Sequence, residues 1–180
     1  MKKVLALFFA LVLCLPLSPA AFAEEEEEVE LADYTYESAK EVIAAAGWEG
    51  ISCSVAQRKF WLPAGLTRME LTEEAKEAGY LACYLSGNFM LSVAYLDYDG
   101  ISLEEYLDAV TENGVRDPRM EEVNGVDTVI YDEPQKDGTI CRIAATTEPD
   151  GQFLEFVFRT NSEKLDDLIY VCIATIRSQS

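Results

Sequence analysis

The sequence predicts a layered α+β domain: an antiparallel sheet of about six to seven strands with helices packed on its faces, one of them inserted mid-sheet and one at the C-terminus. Three observations lead there. The stretch Phe89 to Gly114 reads as a strand, a tight turn and a capped helix. Apolar alternations separated by Asn124-Gly125, Lys136-Asp137-Gly138 and Pro149-Asp150-Gly151 read as consecutive hairpins. A last apolar stripe at helical spacing, Leu165, Leu168, Ile169, Cys172, Ile173 and Ile176, needs a sheet face to cover it.

Residues 1–23 have the layout of a secretory signal peptide, with Lys2 and Lys3 ahead of an apolar run from Val4 to Leu15 and a small-x-small site at Ala21-Phe22-Ala23. Cleavage between Ala23 and Glu24 is expected, which sends the protein outside the cell. Cys14 sits inside the apolar run after Leu13, the wrong place and neighbour for lipid anchoring. No later apolar run approaches the about 18 residues of a spanning helix. Residues 24–33, opening with the run Glu24 to Glu28, have almost nothing to bury and read as an acidic disordered spacer. Residues 34–180 then form one globular domain.

Within the domain, Tyr34 to Ala46 is a first helix with Val42 and Ile43 on one side and Gly47 ending it. Ile51 to Leu62 is one strand-like stretch ending at Pro63, which cannot donate to a ladder. Thr72 caps a short helix that Gly79 stops. Tyr80 to Leu85 is a strand, joined through Ser86-Gly87-Asn88 to Phe89–Leu96, whose two apolar faces call for cover on both sides. Ser102 and Glu105 form a capping box, and Leu103, Tyr106, Leu107 and Val110 make the apolar stripe of the inserted helix. Strands follow at Met120–Val123, Val126–Tyr131, Thr139–Thr146 and Phe153–Thr160. In the last of these Leu154, Phe156 and Phe158 face the core, and Glu155 and Arg159 a wetter side. Asn161 or Ser162 caps the final helix, about Glu163 to Ile176, the most amphipathic in the chain.

Composition excludes much chemistry. The chain has no histidine, so the usual general base, triad member and transition-metal ligand are missing. No phosphate-cradling glycine loop, nucleophile elbow or C-x-x-C pair occurs. Neither a cofactor nor a metal site is expected. A net charge of −19, more negative still once Lys2 and Lys3 are removed, repels nucleic acid and anionic membranes. Cys53, Cys83, Cys141 and Cys172 admit two readings, a pair of disulfides or four buried thiols.

Three groups of residues invite a functional reading. Asp97-Tyr98-Asp99-Gly100 looks like part of an EF-hand loop, but the register puts Tyr95 and Tyr106 where carboxylates belong; a capped turn is the better explanation. Tyr80, Tyr84, Tyr95, Tyr98, Tyr131 and Trp48 either line a carbohydrate or peptide groove or complete the core and its rim. Glu24 to Glu30 is either a solvated spacer or a weak cation buffer.

Phe60-Trp61-Leu62-Pro63 followed by Leu66, and then the order strand, helix, Asn124-Gly125 hairpin, two strands and terminal helix, resemble the PsbP-like family over about Ile51 to Arg177. The resemblance implies a binding or accessory module without catalysis. The expected function is therefore an exported, non-catalytic module acting outside a bacterial membrane on an unknown protein or cell-surface polymer. The alternative is a carboxylate-based hydrolase of cell-wall or dietary glycans. A deep cleft with two facing carboxylates would mark the hydrolase, and a shallow aromatic patch the module.

Overall fold

The computed structural model describes residues 33–87, 89–160 and 166–179. Expectations for the signal peptide, for the spacer up to residue 32 and for the cap of the last helix lie outside the described residues. Asp33 Oδ1 accepts from the Thr35 and Ser38 hydroxyls at 2.7 and 2.5 Å.

In chain order the elements are α1 (Tyr36–Ala45), β1 (Gly50–Val55), β2 (Arg58–Pro63), β3 (Thr67–Arg68), α2 (Glu73–Glu77), β4 (Tyr80–Ser86), β5 (Phe89–Leu96), α3 (Leu103–Glu112), β6 (Arg116–Val123), β7 (Val126–Pro134), β8 (Ile140–Thr147), β9 (Phe153–Thr160), α4 (Asp166–Ala174) and β10 (Arg177–Ser178). A seven-stranded sheet has the order β3-β4-β5-β9-β8-β7-β6, and a three-stranded sheet the order β1-β2-β10. The strand pairs are antiparallel throughout.

The α+β class and the large antiparallel sheet are as expected, and the glycine-marked turns fall where the sequence puts them. Ser102 and Glu105 close the capping box of α3 from both sides. Asp99 N–H donates to Asp97 Oδ1 at 3.0 Å, and Asp99 and Gly100 both take positive φ, so the EF-like stretch is a turn. The stretch Ile51 to Leu62 is not one strand but the β1–β2 hairpin, turned by Ala56 and Gln57. Ala56 adopts φ 51°, a left-handed conformation that alanine does not advertise.

Side chains alternate across the large sheet into two cores. On one face, Leu103, Tyr106 and Val110 of α3 pack on Val129, Ile143, Ala145 and Phe153. On the other, Phe60 and Leu62 of β2 and Ile169, Cys172 and Ile173 of α4 pack on Leu91, Val93, Phe156 and Phe158. Phe60 meets Phe156 edge to face at 5.3 Å between ring centroids. The small sheet and α4 thus share a layer, and α1 lies outside α4 through Ala39, Val42, Val171 and Ala174.

Two expectations about faces are corrected by this layering. Glu155 does not face a wetter side: it is 2% exposed, because α3 roofs that end of the sheet. And α4 is not strongly amphipathic, since α1 covers the side away from the sheet; Val171 and Ala174 are buried as well as Ile169, Cys172 and Ile173. The small sheet is fastened to the large one by a buried ion pair, Arg58 Nε to Glu148 Oε1 at 2.7 Å.

Candidate functional site

A cleft of about 400 Å³ opens between α1 and the outer face of the small sheet. Its walls are Tyr36, Lys40 and Ile43 from α1, Trp48 after it, Ser52 from β1, Trp61 from β2 and Arg177 from β10.

Each wall has a local cause. Thr35 caps α1, its hydroxyl accepting from Ser38 N–H at 3.2 Å, which starts the helix with Tyr36 in its first turn. Lys40 lies one turn on, its Nζ 5.2 Å from the centre of the Tyr36 ring and 2.7 Å from Glu37 Oε2. At the far end Gly47, at φ 65°, makes a Schellman stop: Gly47 N–H donates to Ala44 O and Trp48 N–H to Ile43 O at 3.0 Å. That stop turns Trp48 back over the cleft.

Trp61 belongs to the small sheet opposite Ser52. Its backbone N–H donates to Thr175 Oγ1 at 2.9 Å, and the Thr175 hydroxyl donates to Cys172 O at 2.7 Å, which ties β2 to the end of α4. The Trp61 indole lies over Gly50 so closely that a Cβ there would come within 2.1 Å of the ring. Only glycine leaves room for it. Arg177 closes the cleft with its guanidinium carbon 3.8 Å from the Tyr36 ring centre, a stacked cation–π contact.

Asn124 sets the distance between the two ends of this cleft. Its Oδ1 accepts from Tyr36 N–H at 2.6 Å, and its Nδ2 donates to Ala174 O at 2.8 Å and Ile176 O at 2.7 Å. The hairpin residue read as a turn signal therefore also holds the start of α1 against the end of α4.

The chemistry of the lining is distinctive for this chain. In a protein with 33 acidic and 14 basic residues, the cleft has two cations, three aromatic rings and no carboxylate on its walls. Both tryptophans of the sequence are there. Such a surface stacks on planar or apolar faces and attracts negative charge.

Of the six aromatics singled out in the sequence, only Trp48 lines the cleft. Tyr84 is buried in the core below the small sheet and Tyr131 in the core below α3. Tyr95 donates to Asp150 across the sheet end at 2.7 Å, and Tyr98 packs on Phe153 at 5.2 Å. Tyr80 is half-buried at the start of β4. Tyr36, Lys40, Trp61 and Arg177 were missed, each having a local structural explanation in its own stretch.

A fully buried carboxyl lies elsewhere, under α3. Glu155 Oε1 accepts from Tyr98 at 2.7 Å and from Tyr106 at 2.8 Å. Tyr106 has spent its proton there, so Tyr131, 2.9 Å away, donates to it. Burial raises the Glu155 pKa, against the lowering by its tyrosine donors. The cleft walls share no residue with this cluster. The four cysteines are free, with Cys53, Cys141 and Cys172 buried and Cys83 half-buried. Burial pushes the Cys141 thiol up to about 12. Among the described residues no cluster of three or more Cys, Asp or Glu is placed to hold a metal ion.

No family model matches the chain, and no curated protein matches it. Among solved structures it is similar to the solution structure of cyanobacterial PsbP (CyanoP) from Synechocystis sp. PCC 6803, at 13% identity and a TM-score of 0.49, over 68% of this chain and 86% of that one.

Proposed function

We propose that the protein is an exported, non-catalytic binding or accessory module that seats its ligand in the cleft between α1 and the small sheet. The observation that carries this is the lining: Tyr36, Trp48 and Trp61 with Lys40 and Arg177, and no carboxylate. Glycoside hydrolysis by paired carboxyls needs an acid and a second carboxylate about 5–9.5 Å apart across the bond, and this cleft supplies neither. Aromatic faces flanked by cations bind by stacking, burial and charge. Export rests on the layout of residues 1–23, and a ligand outside the cell, a protein or a surface polymer, follows from it.

The two tryptophans make the test label-free, because both report on the same cleft. Titration with oligosaccharides of cell-surface polymers and with peptides should shift their fluorescence. Arg177→Glu should weaken the binding about tenfold or more by reversing a charge at the site. Turnover of any of these compounds, abolished by a single carboxylate substitution, would overturn the proposal.

A further inference from the structure

The two sheets have four edges, and three are blunted. β3 and β10 are two residues long. β6 has its register broken between Arg116 and Arg119, with Asp117 at φ 49° and Pro118 inside the break, and carries Glu121 and Glu122. These are the ordinary devices that keep a sheet from recruiting another strand. β1 has none of them. It runs in unbroken register from Gly50↔Pro63 to Val55↔Arg58, and its sequence, Gly-Ile-Ser-Cys-Ser-Val, contains no charge and no proline. Its side away from β2 pairs with no other strand among the described residues, and Ile51 on it is 42% exposed.

This open edge borders the cleft. Ser52 is both a β1 residue and a cleft wall, opposite Trp61. A strand added along β1 would present every second side chain, about 7 Å apart, on the face that holds Trp61, Lys40 and Arg177. The backbone edge and the side-chain cleft would then be filled by one ligand.

We propose that β1 accepts an extended segment of a partner polypeptide as an added strand, and that the partner's alternate residues are acidic and aromatic or apolar, entering the cleft. This rests on the reading of the cleft as the binding site and names its ligand class. Charge selects the occupant. Arg177 favours carboxylates and the walls carry none, whereas Lys40 is already paired with Glu37 on its own helix. A second copy of this chain, pairing β1 to β1, would bring a strand with no charged side chain and leave Arg177 without a carboxylate. Main-chain hydrogen bonds provide the affinity in such strand addition, and the alternate side-chain pockets the specificity.

The probe is a synthetic seven-residue peptide with threonine at its odd positions and glutamate, phenylalanine and glutamate at positions 2, 4 and 6, so that acidic and aromatic side chains share one face, titrated against the full chain by tryptophan fluorescence. Two analogues carry N-methyl groups on odd or on even residues. One analogue should lose at least about tenfold in affinity and the other should bind like the parent, because only alternate N–H groups of an added strand face the sheet. Lys40→Glu with Arg177→Glu should abolish binding, and the amides of Ile51 to Ser54 should exchange more slowly in the complex. Equal behaviour of the two analogues would overturn strand addition and leave the cleft reading standing. So would silence towards peptides with an Arg177-dependent response to a glycan. Silence towards both would overturn the two together. Concentration-dependent dimerisation that protects β1 would assign the edge to a second copy and overturn the proposal. So would β1 protection in the free protein that is lost when Glu24–Glu28 and Glu30 are changed to glutamine, since the chain would then fill its own edge.

Discussion

Asn124 shows how much one side chain can settle. With φ 51° it needs a residue tolerant of the left-handed region, and with Gly125 at φ 79° it turns the β6–β7 hairpin. Its amide then bonds three backbone groups of α1 and the α4 end. Asn124→Gly separates the two roles, because glycine keeps the turn and removes the amide. The substitution should cost about 1–3 kcal/mol in urea unfolding, the range for polar groups left unpaired. It should also shift the tryptophan emission as Tyr36 and Arg177 drift apart. Dipeptide statistics point to the turn and are silent on the tie, since a turn is local and the tie spans most of the chain. Trp61 and Gly50 pose the same difficulty: the glycine's reason is a ring on the neighbouring strand.

Among elements, the legible ones carry their signals in contiguous residues. α3 has its capping box and stripe, and β4, β7, β8 and β9 their glycine turns, so each is where the sequence puts it. The β1–β2 hairpin was hidden because its turn is Ala56-Gln57, with no glycine, asparagine or proline to mark it. The burial of Glu155 was hidden for a different reason. Period-two alternation assigns a residue to a face of the sheet but does not say which helix lands on that face. α3 does land there, and Tyr98, Tyr106 and Tyr131, with Glu133 nearby, surround the carboxyl. Burial holds its pKa above the ordinary 4.5, so the native state keeps the proton more tightly than the unfolded chain. The stability tied to that proton is complete below the unfolded value and is lost as pH rises through the raised native one. Glu155→Gln keeps an acceptor for both tyrosines and removes the charge. Its melting temperature relative to the parent should rise as the pH increases from the unfolded value of 4.5 through the raised native one. A constant difference across that range would mean that the carboxyl stays ionised under α3 throughout.

At the level of the whole molecule, hydrophobic layering does the work that disulfides do in domains too small to build a sufficient core. Cys53 and Cys172 belong to the core between the sheets, and Cys141 to the core under α3, so the thiols serve as small apolar fillers. The unreduced protein, unfolded in denaturant, should take one alkyl label at each of Cys53, Cys83, Cys141 and Cys172. In the native state half-buried Cys83 should react first and Cys172, at 1% exposure, last. Mass spectrometry after timed labelling reads both. Two labels fewer under denaturation would mean a disulfide.

The contact between Tyr36 and Arg177 has a consequence in time as well as in space. One comes from the first helix and the other from the last strand, so almost the whole described chain must be made before they can meet. Until β10 pairs with β2, the small sheet lacks its third strand and the cleft lacks a wall. A nascent chain that has not yet reached β10 therefore lacks the Arg177 wall of the cleft.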